Sequence, residues 1–338
     1  MATFIAIGEN IHCSRILKID GESVVSREDG SLEIQFSEGG TRRALPLPQN
    51  APQIEEWTKG RKVKHLAVTI WQGMHGGAAA QETAVAYLRY IAAAQTAKGA
   101  AYLDVNVDEF STDREEKIRA MRWVAATVQQ ASPLPLSIDS SDVELLNAGL
   151  EACDPARGKP LLNSVSLERM AALDIARSAG ASVIAGATGE TTMPSSVEDR
   201  LRNFDALLPQ LRRAGLNNTD IYLDPLVFPA ATDSSNGKKV IETIARLRQN
   251  YGAEIHIAPG LSNVSFGLPK RPLLNMVFAY LCVEHGCDGG IVDPRHINAA
   301  TLAALDTTSE AFKLAKAFLL GEDEFGVKFI RAARKGLI

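Results

Sequence analysis

Short runs of apolar residues alternate with longer amphipathic segments along most of the chain. The apolar runs are continuous, which is typical of parallel strands covered by helices on both faces. Eight of them predict β-strands, at 4–8, 101–107, 134–139, 160–163, 182–185, 220–224, 254–258 and 289–292. Helical periodicity predicts helices at about 78–98, 113–131, 142–152, 167–179, 197–214, 236–250, 270–286 and 298–319.

Eight strand–helix units in one chain predict a closed (β/α)8 TIM barrel of the α/β class, with an open doubly wound sheet as the alternative. The boundaries of the helices support this reading. Asp113, Ser141 and Ser166 are expected N-caps, and Gly180 and Gly252 follow the ends of predicted helices. We therefore expect a single barrel domain over residues 1–338.

Two segments depart from the strand–helix rhythm. About 65 residues separate the first strand from its helix, where a few would suffice. Within them, short strands are predicted at 15–19, 23–25, 31–36 and 44–47, so a β-rich insertion is expected at 13–66. A further helix at about 325–335 is expected to pack outside the barrel.

The composition excludes several classes of protein. Of the 338 residues, 46% are hydrophobic and 22% are charged, which is ordinary for a globular protein. A formal net charge of −4 does not favour nucleic-acid binding. Four cysteines are too few and too scattered for a disulfide framework and fit a reducing compartment. With no signal peptide and no run long enough to cross a membrane, we expect a cytoplasmic protein.

Polar residues follow the predicted strands where each strand ends. Active sites of TIM barrels lie at these carboxyl ends. A buried polar group without a partner costs about 1–3 kcal/mol, so several together predict a ligand. The residues are Glu9, Asn10, Asp104, Asn106, Asp108, Asp139, Ser140, Asn163, Asp224, Asn263 and Asp293. Taken singly, each has a structural alternative, such as helix capping by Ser140 or a turn at Asp224.

The chemistry of this set favours an organic ligand. His12 can approach the barrel mouth, but the other histidines lack the spacing of metal ligands, so no metal site is expected. The Gly-rich motifs of nucleotide sites are absent. A pterin carries an exocyclic amine beside a ring N–H, and one carboxylate can accept both. Asn side chains suit its mixed donor and acceptor edges.

Seven segments in the same order carry a family resemblance. They are IGENI (7–11), LDVNVD (103–108), IDSS (138–141), LNS (162–164), YLDPL (222–226), GLSNVS (260–265) and RPLLN (271–275). Together they resemble the methyltetrahydrofolate:corrinoid-protein methyltransferases and the folate module of cobalamin-dependent methionine synthase. Residues 266–270 and the insertion do not match this pattern.

The resemblance implies a methyltransferase that moves a methyl group between N5 of (methyl)tetrahydrofolate and the cobalt of a corrinoid (cobalamin) on a partner protein. It implies a homodimer and a catalytic Asn263, whose amide faces N5. The insertion suggests transfer from the corrinoid to tetrahydrofolate, in one-carbon catabolism. The residues implied to bind the pterin are Asp139, Asn163, Asp224, Asp104, Asn106, Glu9, Ser262 and Arg271.

Two other functions are compatible with the same barrel. A dihydropteroate synthase shares the pterin pocket, but its Ser-x-Arg ending and its early proline–glycine loop are not found. A non-catalytic folate-binding module is the second alternative, and the intact Asn263 argues against it.

Overall fold

The structure, a computed structural model, describes residues 4–338. The strands are β1 (Ile5–His12), β2 (Ile16–Lys18), β3 (Val24–Ser26), β4 (Leu32–Glu38), β5 (Thr41–Pro46), β6 (Lys62–Lys64), β7 (Ala100–Asn106), β8 (Leu136–Asp139), β9 (Leu161–Val165), β10 (Ser182–Gly186), β11 (Ile221–Asp224), β12 (His256–Ile257) and β13 (Gly289–Val292). The helices are α1 (Ile54–Thr58), α2 (His65–His75), α3 (Ala78–Thr96), α4 (Arg114–Ala131), α5 (Val143–Glu151), α6 (Ala171–Ser178), α7 (Val197–Arg213), α8 (Asn236–Tyr251), α9 (Arg271–Glu284), α10 (Ala299–Ala303), α11 (Glu310–Leu319) and α12 (Val327–Arg334).

Eight strands form one sheet in the order β12-β11-β10-β9-β8-β7-β1-β13. The two end strands of this order also share backbone hydrogen bonds: the Asp288 N–H donates to Ile257 O at 3.3 Å, and the Ile291 N–H donates to Pro259 O at 2.9 Å. Helices alternate with these strands along the chain. The predicted (β/α)8 TIM barrel is therefore confirmed.

Two registers place polar side chains next to each other. Strands β7 and β8 are parallel, and Asn106 pairs with Asp139 at their carboxyl ends. Strands β10 and β11 are also parallel, and their last pair is Gly186 with Asp224. The apolar residues along these strands are buried, as expected for strands covered on both faces.

Packing divides the chain into two compact units. The first unit is Gly8–Leu161, and the second is Leu162–Ile338 with the described residues that precede Gly8. The division passes through β1 and β9. A single domain over 1–338 stays a prediction, and residues 1–3 of that range lie outside the described part of the chain.

The expected β-rich insertion is present between β1 and α2. Strands β3, β4 and β5 form an antiparallel sheet, and β2 pairs with β6 as an antiparallel ribbon. Helix α2 was not predicted. Its residues 66–71 are almost all apolar, and no side chain caps its start, so the usual signals of a helix boundary are missing. The limits 13–66 of the insertion stay a prediction.

Other boundaries correct the sequence analysis. The single helix expected at 298–319 is wrong, because α10 and α11 are separate helices and Ser309 caps the second by accepting the Phe312 N–H at 3.2 Å. Ser141 is not the cap of α5, since the Asp142 carboxylate accepts the Glu144 N–H at 2.9 Å. Ser166 caps nothing with its side chain. The cap at Asp113 and the extra helix α12 are confirmed.

Candidate functional site

The clearest polar pair of the first unit lies where β7 and β8 end. Asn106 Nδ2 donates to Asp139 Oδ2 at 2.9 Å, and Asn106 Oδ1 accepts the Asp108 N–H at 2.9 Å. The amide orientation is therefore fixed from both sides. His12, at the end of β1, places Nε2 3.7 Å from the same Asp139 oxygen. Two of the side chains named from sequence, those of Asn106 and His12, thus lie beside the carboxylate of a third, Asp139.

Asp104 lies deeper in the same strand. It is 1% exposed, and its Oδ1 accepts the Ser137 Oγ–H at 2.6 Å from the paired position on β8. A buried carboxylate needs such donors, because leaving it without them would cost several kcal/mol. Asp104 is therefore held in the interior by Ser137, two register positions before the Asn106–Asp139 pair.

Two other acids of this unit are held in local structure. Asp108 accepts from Ser140 Oγ at 2.5 Å and from the Ser141 N–H and Oγ–H at 2.9 Å each, so the two serines after β8 fix the neighbouring turn. Glu9 is buried and forms an ion pair with Arg15, with Oε1 2.6 Å from Nη2. Arg15 also donates through Nε to the Glu9 carbonyl at 3.0 Å. The charge of Glu9, within β1, is therefore neutralised by Arg15, which follows the strand.

In the second unit, Asp224 ends β11 with a half-buried carboxyl group. Its Oδ1 accepts the Leu226 N–H at 2.8 Å. Burial raises the pKa of Asp224 to about 6, although the backbone hydrogen bonds from Leu226 and Gly260 oppose the shift. The carboxyl group thus titrates close to neutral pH and can accept hydrogen bonds from a ligand once it is ionised.

Sequence analysis missed Arg200, which fixes the turn after Asp224. Arg200 is completely buried on α7 and donates to the carbonyls of Pro225 at 2.6 Å, Leu226 at 3.3 Å and Ser196 at 3.0 Å. A signal was available in its position: Arg200 follows Val197 by three residues and precedes Phe204 by four, on the buried face of α7.

Asn263 lies on a short 3-10 turn, Leu261–Ser265, between β12 and α9. Its side chain is exposed. The turn is held by Arg271, which donates through Nε to Ser265 Oγ at 3.0 Å and through Nη2 to the Ser262 carbonyl at 3.1 Å. The Asn263 amide is therefore carried on a rigid support and can still meet a ligand.

Asn163 is half-buried in β9. Within the described residues, neither its side chain nor that of Asn263 forms a hydrogen bond to another residue. Both amides therefore keep their donor and acceptor capacity for a ligand.

A comparison with known families decides the assignment. The profile of the pterin binding enzyme family matches residues 75–293, more than half of the chain. The chain belongs to the pterin-binding enzyme family. The matched segment contains Asp104, Asn106, Asp139, Asn163, Asp224 and Asn263.

Individual relatives of this pterin-binding enzyme are methyltransferases. It is 31% identical over 266 residues to methylcorrinoid:tetrahydrofolate methyltransferase of Eubacterium limosum, covering 77% of this chain and 92% of that protein. It is also 31% identical over 217 residues to methionine synthase of Mycobacterium leprae, covering 60% of this chain and 17% of that protein.

Solved structures of pterin-binding enzymes share the fold. The 7,8-dihydropteroate synthase of Vibrio fischeri superposes with a TM-score of 0.53 at 16% identity, over 71% of this chain and 86% of that chain. The dihydropteroate synthase of Xanthomonas albilineans, in complex with 7,8-dihydropteroate, superposes with a TM-score of 0.50 at 20% identity, over 68% and 84%.

Two features are absent from the part of this pterin-binding enzyme that the structure describes. Within residues 4–338, no group of three or more His, Cys, Asp and Glu side chains is placed to hold a metal ion. In the same range, no helix is long and apolar enough to span a membrane.

Proposed function

We propose that this pterin-binding enzyme transfers a methyl group between N5 of (methyl)tetrahydrofolate and the cobalt of a corrinoid that a partner protein carries. The observation that carries the proposal is the exposed amide of Asn263 on a turn fixed by Arg271. The relationship to the Eubacterium limosum methyltransferase, over 92% of that protein, supports the same reaction.

The ring of the folate is the part that acids and amides recognise. Its exocyclic amine and ring N–H lie side by side, and an ionised carboxylate accepts both with charge-assisted hydrogen bonds. Asp139 and Asn106 supply such a carboxylate and amide, and Asp224 and Asn163 supply a second carboxylate and amide. We assign these residues to the pterin, together with Asp104, Glu9, Ser262 and Arg271. Within this set, Arg271 acts through the turn that it holds.

The reacting atom of the folate is N5. In transfer from folate to cobalt, the electron pair of the broken N5–methyl bond stays on nitrogen, and negative charge develops there. Transfer in the proposed direction, from corrinoid to folate, passes through the same transition state in reverse. A hydrogen-bond donor that meets this charge stabilises the transition state by about 3–4 kcal/mol. The Asn263 amide is neutral at every relevant pH, so it stabilises N5 by donating a hydrogen bond. In the proposed direction, water accepts the proton that N5 loses as it gains the methyl group; in the reverse direction, water supplies the proton that N5 takes.

The methyl group has to reach a second protein. The corrinoid supplies a cobalt that accepts or donates the methyl group. Asn263 and Phe266 both lie exposed on the same stretch after β12, and Phe266 is 65% exposed. An exposed amide beside an exposed aromatic ring suits the approach of a partner protein to N5.

The direction that we propose is transfer from the corrinoid to tetrahydrofolate, which is the direction in the name of the Eubacterium limosum relative. Homodimerisation and a cytoplasmic location stay predictions, as does the absence of membrane and nucleic-acid partners.

The transfer can be followed with an isotopic label. The protein is incubated with tetrahydrofolate and a corrinoid that carries a labelled methyl group, and the label is located by NMR. We expect it on N5 of the folate. A dihydropteroate synthase would leave the label where it started and would instead release pyrophosphate from a pterin diphosphate in the presence of 4-aminobenzoate.

A further inference from the structure

His12, at the end of β1, has a side chain whose hydrogen-bonding state is fixed by its neighbour. The Ser14 N–H donates to His12 Nδ1 at 3.2 Å, and Ser14 Oγ lies 2.7 Å from the same nitrogen. A nitrogen that accepts a hydrogen bond from a backbone N–H carries no proton. The neutral imidazole therefore carries its proton on Nε2.

The surroundings of His12 keep the ring neutral. Burial, followed by the positive charge of Arg15, lowers the pKa of His12 to about 4, although Glu109 and Asp108 act in the opposite direction. Near neutral pH, His12 therefore presents one N–H group, on Nε2.

That N–H group faces a carboxylate that already has a donor. Nε2 lies 3.7 Å from Asp139 Oδ2, which is too long for a direct hydrogen bond. The same oxygen accepts from Asn106 Nδ2 at 2.9 Å. Among the described residues, the His12 Nε2–H has no hydrogen-bond partner. The Nε2–H donor and the Asp139 acceptor therefore lie side by side, at a separation at which they can bind two neighbouring atoms of one heterocycle.

We infer that His12 determines specificity: its Nε2–H and the Asp139 carboxylate form a donor–acceptor pair that reads a pterin edge on which an N–H lies beside an acceptor. This inference rests on the proposed function, since it takes the pterin as the ligand. Tetrahydropterin has two acceptors of this kind: the C4 carbonyl, which lies beside N3–H and N5–H, and N1, which lies beside N8–H and the 2-amino group. At both, the carboxylate accepts a neighbouring N–H and His12 donates to the acceptor.

Two substitutions separate the donor from the rest of the side chain. In His12→Gln, the amide nitrogen falls near the position of Nε2, so the donor is kept. In His12→Asn, the shorter amide retains an oxygen for Ser14 and loses the donor. We expect His12→Asn to bind tetrahydrofolate about five- to tenfold more weakly in calorimetric titrations near neutral pH, and His12→Gln to stay within about twofold of the unsubstituted protein.

Ligand analogues then identify the edge. A 4-amino analogue of tetrahydrofolate replaces the C4 acceptor with a donor, and a 1-deaza analogue removes the N1 acceptor. For the analogue that lacks the acceptor contacted by His12, His12→Asn and the unsubstituted protein should bind with equal affinity. If His12→Asn fails to fold, unsubstituted protein and His12→Gln should still discriminate equally against that one analogue.

The inference is overturned if His12→Asn binds tetrahydrofolate as well as the unsubstituted protein does, or if its penalty persists with both analogues. It is also overturned if the unsubstituted protein and His12→Gln bind both analogues as tightly as they bind tetrahydrofolate. Failure of the unsubstituted protein to bind any folate is a different result, and it would contradict the proposed function itself.

Discussion

Asn106 and Asp139 occupy paired positions on β7 and β8, and the amide of the first donates to the carboxylate of the second at 2.9 Å. The strand register places the two residues side by side, and the Asp108 N–H fixes which end of the amide faces the acid. Sequence order alone separates them by 33 residues, so the pair depends on the parallel sheet.

Asn106→Ala tests how much the Asn106–Asp139 hydrogen bond contributes to folate affinity. Asp139 would lose a donor worth about 1.5–3 kcal/mol to a charged acceptor and would no longer be held for a ligand. We expect folate affinity to fall about 10- to 100-fold in calorimetric titrations. Asn147→Ala is the matched control, because Asn147 donates to Glu151 on the exposed surface at 2.7 Å. Equal affinity of the two variants would remove the pair from the binding site.

Asn263→Ala separates binding from turnover. The amide is assigned to the transition state, so its loss should lower the rate of methyl transfer by about 100- to 1000-fold and change folate affinity by much less. Single-turnover rates and titrations on the same sample give both quantities. Asn250→Ala, at an exposed position near the end of α8, is the control. A variant that keeps its rate would show that Asn263 does not meet N5.

Arg200→Met tests the support of Asp224. The substitution leaves the carbonyls of Pro225 and Leu226 without their buried donor, and each such loss costs about 1–3 kcal/mol. Urea unfolding should therefore show a loss of about 2–4 kcal/mol, and folate affinity should also fall. Arg202→Met, two residues along α7, removes only an exposed ion pair with Asp199 and should cost less than about 0.5 kcal/mol.

The titration of Asp224 predicts a pH dependence of stability. Burial raises its pKa from 3.8 to about 6 in the folded protein, so folding favours the protonated form. The contribution of Asp224 to stability is highest below pH 3.8, falls as the pH rises from 3.8 to about 6, and is constant above that. Ionising the buried Asp224 carboxyl group therefore lowers the free energy of unfolding by about 3 kcal/mol. Asn does not ionise, so Asp224→Asn lacks this pH-dependent loss of stability. The unfolding free energies of Asp224→Asn and the unsubstituted protein should therefore diverge between pH 3.8 and about 6 and should not diverge below pH 3.8.

The same titration predicts a pH dependence of binding. Only the ionised carboxylate accepts two pterin donors, so the part of the folate affinity that depends on Asp224 should weaken about tenfold per pH unit below the pKa of about 6. Titrations of unsubstituted protein and Asp224→Asn separate this term from the titration of the ligand. An affinity difference between them that does not vary with pH would contradict the assignment.

The barrel and most of the candidate site follow from local patterns. Continuous apolar runs and periodic helices predicted eight strand–helix units, and the polar residues at strand ends are local in sequence, so both could be read directly. Helix α2 was missed because its apolar run lacks caps. The division of 298–319 into two helices depends on Ser309, a cap within an otherwise helical pattern.

Other features depend on distant contacts. Whether an acid is available to a ligand or engaged by the protein is decided by partners that the sequence does not place. Asp108 is held by Ser140 and Ser141, 32 and 33 residues away. Arg200 donates to the turn after Asp224 from helix α7, 25 residues away in sequence. Only its position on the apolar face of α7 could have indicated from the sequence that it is buried.

The most direct test of the account is a rapid-mixing experiment with methyltetrahydrofolate and a reduced, Co(I) corrinoid. In the presence of the protein, we predict that the corrinoid absorbance changes in one exponential phase as the methyl group moves to cobalt, and that Asn263→Ala slows this phase about 100-fold or more. An absorbance trace that matches the protein-free mixture would contradict methyl transfer by this enzyme.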